Sequence, residues 1–342
     1  MQFGLNESQQ ILASNARKFF AAECPMADVR RAMENGTAHD AVLWRKMAEQ
    51  GYLGIVFPEE HCGLGLGCVE LALLMEEMGR ALVPGPFFST LAAAAIVNEC
   101  GSEAQKAEFL APVCAGDARA TVALTPARDG ALLFVPDAAV ADFIVVAEPG
   151  APRVIRSAPV EDMRGMDLTR RIYAVRPDTP GLPLANPAGL DRAFAIATMA
   201  LSAELVGGMQ RVLDLSVEYA KTRKQFGKPI GQFQAVQHQL ADTYLETESA
   251  RSAAYYAAWT LDNRASDWAA AVSIAKMYAS DAARNAGNRG IQVHGGMGFT
   301  WENDVHLYYR RFKASETMLG DATWHRERIA ALVIDAPAKE LS

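Results

Sequence analysis

The residues best suited to chemistry lie where a long helix-forming run breaks. From Arg223 to Gln234 the sequence reads Arg-Lys-Gln-Phe-Gly-Lys-Pro-Ile-Gly-Gln-Phe-Gln, placing three cations, two glycines and a proline between two segments rich in helix formers. A helix end displays unpaired N–H groups and the positive end of its dipole. Gly227, Pro229 and Gly231 permit a tight turn whose backbone can approach a ligand closely. Arg223 adds a planar fork of donors, and Gln234 adds an amide in the first turn of the next helix. Together these groups suit an anion, most naturally a phosphate. A plain helix-to-helix connection with solvated cations has the same composition, so the decision needs a second site.

Gln292-Val-His-Gly-Gly-Met-Gly-Phe-Thr-Trp-Glu302 offers one. An amide precedes the pair Gly295–Gly296, so bare backbone stands beside a polar group after a long helix. A glycine pair alone is also an ordinary helix C-cap. The order of the two segments, separated by two helices, is more specific than either. His294 reads equally as a phosphate contact or a packing residue, and His306 and His325 as hydrogen-bonded structural residues. No histidine pair has the i, i+4 spacing of a helical metal site, and Cys62 and Cys68 lack nearby ligand partners, so no metal is expected.

The elements that must position these residues fall into three stretches. Residues 1–118 are rich in Ala, Leu, Met and Glu, broken at Gly51, at 58–67 and at 84–86, which predicts four or five short helices. Within 119–187 the runs at 120–124, 131–135, 142–147 and 171–175 are short, β-prone and separated by Pro, Gly and Asp. Over 188–342 long helices return. Leu201, Leu205, Met209, Val212 and Val217 recur at helical spacing, as do Val236, Leu240 and Tyr244, and both stripes read as core. The fold class is mainly α with a small β module, and the tail 335–342 reads as disordered.

With 342 residues and half of them hydrophobic, the chain can bury a substantial core. A net charge of −7 without a block of Lys or Arg argues against nucleic acid as a partner. The N-terminal residues Met1 to Glu7 show no charged segment followed by an apolar run, and no later apolar stretch reaches the roughly 18 residues of a membrane span. The expectation is a cytoplasmic protein without a membrane partner. All five cysteines lie in the first third, without a Cys-x-x-Cys pair, and read as reduced, mostly buried thiols.

On these residues the chain resembles the acyl-CoA dehydrogenase family over nearly its whole length. Met47-Ala-Glu-Gln-Gly-Tyr-Leu-Gly-Ile-Val-Phe-Pro-Glu-Glu60 and Met75-Glu-Glu-Met-Gly-Arg80 are similar to the family's N-terminal helical domain. Arg223 to Gly227 with Phe233–Gln234, and Gln292 with Gly295–Gly296, are similar to its C-terminal flavin motifs. The resemblance implies an N-terminal helical domain, a truncated middle β domain and a C-terminal four-helix bundle. It further implies an FAD lying at a subunit contact, held at its pyrophosphate and adenosine half by Arg223, Gln225, Phe226, Gln234, Gln292, Gly295 and Gly296. The implied reaction removes an α proton from an acyl-CoA thioester while the β hydride goes to the flavin, with electron-transfer flavoprotein as the usual acceptor.

The family's base, a Glu in a Tyr-Glu-Gly-Thr turn near the C-terminus, has no match. Aligned without gaps from Arg310 and Lys313 its position falls on Leu319; aligned backward from Thr323 through Arg328 with two residues inserted it falls on Asp321. Asp321 is therefore the candidate base, and it reads equally as the N-cap of a helix starting at Ala322. A second branch of the family places the base near Ala197 and Thr198, where this chain has no carboxylate; Glu204 and Asp191 lie close in sequence without matching. Of the family's flavin-ring loop only Leu124-Thr-Pro126 followed by Ala-Arg-Asp-Gly130 survives. These losses resemble the short subunit of heterotetrameric acyl-CoA dehydrogenases that shorten steroid and other bulky side chains. That resemblance implies an α2β2 complex in which a homologous partner supplies the base. A self-sufficient homo-oligomer using Asp321 and a non-catalytic structural subunit are the alternatives.

Overall fold

Residues 4–156 and 158–335 are described in the computed structural model. Residues 336–342 of the tail expected to be disordered lie outside them. The chain divides into two compact units, Met1–Ala197 and Thr198–Ser342.

In the first unit, Asn6 and Gln9 form a capping box that starts α1 (Glu7–Glu23), and Asp40 accepts from two main-chain N–H groups to start α3 (Ala41–Glu49), with α2 (Met26–Glu34) between them. α4 (Cys68–Ala81) and α5 (Phe87–Cys100) follow; α5 is apolar nearly all round and buried accordingly, and α4 buries Glu76 and Glu77 along with its apolar residues. Arg17 on α1 grips Glu77 on α4 with two hydrogen bonds, at 3.0 and 2.7 Å. A last helical stretch runs through α6 (Glu103–Gln105), a π turn (Lys106–Leu110) and α7 (Ala111–Ala115), ending on Gly116 at φ +83°. Pro112 lacks the N–H that a regular ladder needs at that point, which is where the π turn gives way to α7.

Six short strands and a two-residue edge make the β module. β1 (Ala120–Ala123), β3 (Phe143–Val146), β4 (Arg153–Ile155) and β7 (Leu182–Pro183) form one sheet in the order β1-β3-β4-β7, with β1 and β3 parallel. β2 (Leu132–Pro136), β6 (Ile172–Val175) and β5 (Val160–Asp162) form an antiparallel three-stranded sheet. Leu132, Val135, Ile144, Val146, Ile155, Tyr173 and Val175 bury their side chains together as this module's core. All four β-prone runs of the sequence are strands. β4, β5 and β7 were not expected; they have three residues or fewer, and β5 is exposed throughout, so no alternating pattern marks them.

The second unit is helical. α8 (Leu190–Thr222) begins before the unit boundary and continues into it, followed by α9 (Gln234–Asp262), α10 (Trp268–His294), α11 (Val305–Thr317) and α12 (Ala322–Val333). α8 meets α11 where Gly208 faces Phe312, and meets α10 where Gly290 faces Val212; a Cβ at either glycine would lie 2.6 Å from that neighbour. Leu201, Leu205, Met209 and Val212 are buried as the stripe on α8 predicts, whereas Val217, its fifth member, is only half-buried.

Two expectations are corrected here. The stripe Val236, Leu240, Tyr244 does not face the core: Tyr244 is 57% exposed, and with Leu240 it lines a cleft of about 620 Å³ beside Leu213, Asp214 and Val217 of α8. α9 buries Thr243, Thr247, Ala250, Ala254, Ala257 and Ala258 instead, small residues that let it approach α10 closely and give little hydrophobic signal. The segment 187–222 is also long and apolar enough to cross a membrane, with a mean hydropathy of 1.3 over its most apolar window, yet 89% of that window is buried inside the protein. It is the core helix of the bundle.

Candidate cofactor site

The break after α8 is a miniature hairpin. β8 (Lys224–Gln225) pairs antiparallel with β9 (Lys228–Pro229), and the chain reverses through Phe226 at φ +53° and Gly227 at φ +80°. Two successive positive φ values are what a two-residue hairpin of matching twist requires, and Gly227 meets that demand without strain. The Ile230 N–H donates to the Arg223 carbonyl at 2.8 Å and closes the hairpin's base. α9 then starts at Gln234 with Phe233 at its N-cap, where no side chain caps the first-turn N–H groups. Arg223, Gln225, Phe226 and Gln234 are all exposed; Phe226, at 92%, packs edge-on to Phe233, whose face lies 4.4 Å beneath the Lys228 ammonium.

α10 ends at His294, and Gly295 takes φ +59° and ψ −138°, a conformation that only glycine adopts readily. A Cβ at Gly295 or Gly296 would meet nothing within 4 Å, so the twin-glycine backbone faces open space, with Gln292 exposed beside it.

The two segments come together through a contact that the sequence does not advertise. Tyr219, one turn before Arg223, stacks on His294 with ring centroids 4.4 Å apart and planes at 25°. The close approach of α8 and α10 at Gly290 brings the two helix ends side by side. His294 Nδ1 lies 2.9 Å from the Gly290 carbonyl, which can only accept, so Nδ1 carries a hydrogen and donates it. His294 thus joins the segments as a packing residue. Burial holds its pKa below the usual 6.5, and the Gly290 hydrogen bond offsets that only in part. An unfolded His takes up its proton first as pH falls, so the stability held by the stack is complete above pH 6.5 and is lost on acidification. Thermal unfolding followed between about pH 7 and 5 should show the midpoint falling in the wild type, with a shallower fall in His294→Gln.

The donor set fits an anionic dinucleotide. One guanidinium and the amides of Gln225 and Gln234 stand exposed on the hairpin and at the uncapped start of α9, and the Gln292 amide and an open glycine backbone stand on the turn that the Tyr219–His294 stack joins to α8. Arg223 would take phosphate oxygens in a fork, and Gly295–Gly296 would admit the diphosphate to the main chain.

The candidate base stands differently. The turn from Met318 to Asp321 carries Leu319 at φ +60° and Gly320 at φ +96°. Asp321 is exposed and is the N-cap of α12, its Oδ1 accepting the Trp324 N–H at 2.8 Å. Ala197 and Thr198 are buried and supply no carboxylate. Glu204 is committed elsewhere, with Oε1 accepting from Arg311 Nη1 at 2.6 Å and both side chains more than nine-tenths buried. Asp191 is exposed in the first turn of α8. The remnant of the ring loop forms a tight reversal at Asp129–Gly130, both at positive φ, with Arg128 and Ala131 bridged across it. Glu60, His61 and Glu103 bring donor atoms within 4.8 Å of one another, but Glu103 already pairs with Lys106 at 2.9 Å, and the cluster reads as a surface ion-pair group. All five cysteines are free, four of them buried and Cys62 exposed.

Residues 6–117 match the acyl-CoA dehydrogenase N-terminal domain and residues 190–334 the acyl-CoA dehydrogenase C-terminal domain. Acyl-CoA dehydrogenase IpdE2 of Mycobacterium tuberculosis is 35% identical over 335 residues, covering 97% of this chain and 99% of its own. IpdE2 of Mycolicibacterium smegmatis is 31% identical over 331 residues, covering 96% of this chain and 100% of its own. Among solved structures, a variant of the Tcur3481-Tcur3483 steroid ACAD superposes with a TM-score of 0.88 at 30% identity, over 96% of this chain and 98% of that one. The ChsE4-ChsE5 complex from Mycobacterium tuberculosis gives 0.91 at 25% identity, over 99% and 100%.

Proposed function

The chain belongs to the acyl-CoA dehydrogenase family of FAD-dependent oxidoreductases, and from that premise we propose that it works as the short subunit of an α2β2 acyl-CoA dehydrogenase, with the base on a homologous partner. One observation carries this reading: the Arg223 hairpin and the twin-glycine turn stand exposed beside each other, while the position of the family's base offers only Leu319 and an exposed Asp321 that caps a helix. A general base for an α proton works in a dry pocket that raises its pKa toward the working pH, and a solvated cap is not that. Exposed aromatics beside the cofactor segments, Phe226 at 92% and Phe299 at 72%, suit a surface that a second subunit covers. The similarity to steroid ACAD and ChsE4-ChsE5 assemblies points the same way.

When bound, the flavin accepts the hydride from the β carbon. In this reading Arg223, Gln225, Gln234 and Gln292 orient the diphosphate and adenosine, Phe226 covers them, and Gly295–Gly296 let the backbone close on the phosphates. Asp321 serves first as the cap of α12. The functional division is 1–118, 119–187 and 188–342, with the shortened middle part leaving room for a bulky or ring-bearing acyl group. Electron-transfer flavoprotein is the proposed acceptor and the cytoplasm the proposed location.

Co-expression with a longer relative tests the proposal. A yellow complex that desaturates acyl-CoA, beside a separately purified chain that does neither, is the expected result. A chain that alone turns over acyl-CoA and loses that activity in Asp321→Asn with FAD retained would overturn it in favour of a self-sufficient enzyme.

A further inference from the structure

The turn between α11 and α12 is short, twice left-handed, and held from outside by side chains of other elements. Lys276 on α10 is fully buried, at 0% exposure. Its ammonium donates to Ser280 Oγ at 2.8 Å, to the Glu316 carbonyl at 3.1 Å and to the Gly320 carbonyl at 3.0 Å, which uses all three of its donors. From α12, the buried His325 places Nε2 3.0 Å from the Leu319 carbonyl and donates to it. Three carbonyls at the end of α11 and in the turn are thereby bonded to two titratable side chains. The turn has no slack: a Cβ on Gly320 would lie 2.5 Å from Trp324 Cε3.

A buried ammonium is a costly way to join helices, since an apolar side chain of similar size fills the same space without desolvating a charge. The geometry points to Lys276 as the positioning residue that sets the Met318–Asp321 turn, with His325 bracing it from α12. This rests on the reading above in one respect: the turn stands where the family carries its base, at Leu319 and Asp321. Burial lowers the Lys276 pKa to about 8, against the raising influence of Glu316 and Asp321. Burial also lowers that of His325 to about 4, reinforced by the charge of Lys276. The groups facing Lys276 are Glu316 from α11, itself held by Arg284 at 2.6 Å and Lys313 at 2.7 Å, Asp321 at the start of α12, and His325 with Arg328 behind it. Above about pH 8 the amine loses the charge that strengthens its bonds to the Glu316 and Gly320 carbonyls, and its hold on the turn weakens.

Amide hydrogen exchange on the full chain, corrected for intrinsic rate and followed across about pH 7 to 9, tests this directly. In the wild type, protection over 318–325 should fall about tenfold through the alkaline transition while the core of α8 is unchanged. Ser280→Ala keeps the lysine but removes a partner that favours the ammonium, so the transition should move to lower pH. Lys276→Met should lose the protection at every pH and abolish the transition. In the co-assembled complex Lys276→Met should lower kcat by about tenfold with KM for acyl-CoA little changed, and should remove the alkaline limb of the kcat profile. Wild-type exchange and wild-type alkaline limbs in both variants would overturn the inference, as would altered exchange with kcat and its pH profile unmoved. Should Lys276→Met fail to fold, Ser280→Ala decides alone. A wild-type complex without any desaturation would contradict the proposed function, and the exchange measurements would still decide whether Lys276 sets the turn.

Discussion

Replacing Glu204 by alanine is expected to destabilise the protein by about 3 to 5 kcal/mol, the usual result of removing one partner of a buried ion pair. Arg311 would keep a guanidinium whose side chain is only 3% exposed, with the carboxylate it faces at 2.6 Å gone. Part of the penalty is a buried guanidinium that has lost this carboxylate, so Glu204→Gln, which retains an acceptor oxygen, should cost less. Replacing both members by apolar residues of similar volume should recover most of the loss. Urea unfolding of the three variants checks this, and a loss below about 1 kcal/mol for Glu204→Ala would mean that the pair is solvated in solution. The measurement also separates structure from chemistry. Glu204 is the carboxylate nearest in sequence, on the C-terminal side, to the family's second base position at Ala197 and Thr198, and a residue that holds α8 to α11 is unsuited to taking a substrate proton.

Arg223→Ala is expected to weaken FAD retention in the assembled complex by about 1.5 to 3 kcal/mol, roughly ten- to a hundred-fold in dissociation constant. The side chain stands exposed at the mouth of the hairpin, where it is available to a ligand. Its planar fork matches a phosphate in a way that an ammonium does not, so Arg223→Lys should fall between wild type and alanine. Flavin release from the complex, followed by dilution or competition, reads the difference. Retention equal to wild type would remove Arg223 from the diphosphate site and weaken the assignment of the whole hairpin.

The two segments proposed to hold the cofactor stand out in the sequence because their composition is unusual for the interior of a helical run. Cations, glycines and proline at 223–234 and a glycine pair after Gln292 each read also as a plain connection or a C-cap, and it is their occurrence in one chain, two helices apart, that stands out. Their convergence was not legible, since it depends on Tyr219 meeting His294 and on Gly290 letting α10 close on α8, and neither pairing follows from spacing along one helix. The β module announced itself where strands carried β-branched and aromatic runs, as at 143–146, and was silent where two or three exposed residues complete a sheet edge. On α9 the pattern misled: Val236, Leu240 and Tyr244 look like a core stripe, whereas the packed face is Thr and Ala, which a hydrophobicity scale scores weakly. Lys276 was missed for a related reason. Lysine is almost never fully buried, and only the two turn carbonyls that meet it reveal why it is here.

The account as a whole predicts where the flavin will be found. The most direct measurement is the visible flavin absorbance per chain of the protein purified alone, compared with the product co-expressed with a longer acyl-CoA dehydrogenase. A nearly colourless chain and a stoichiometrically yellow complex are the predicted result. A chain that purifies alone with a full complement of FAD would contradict it.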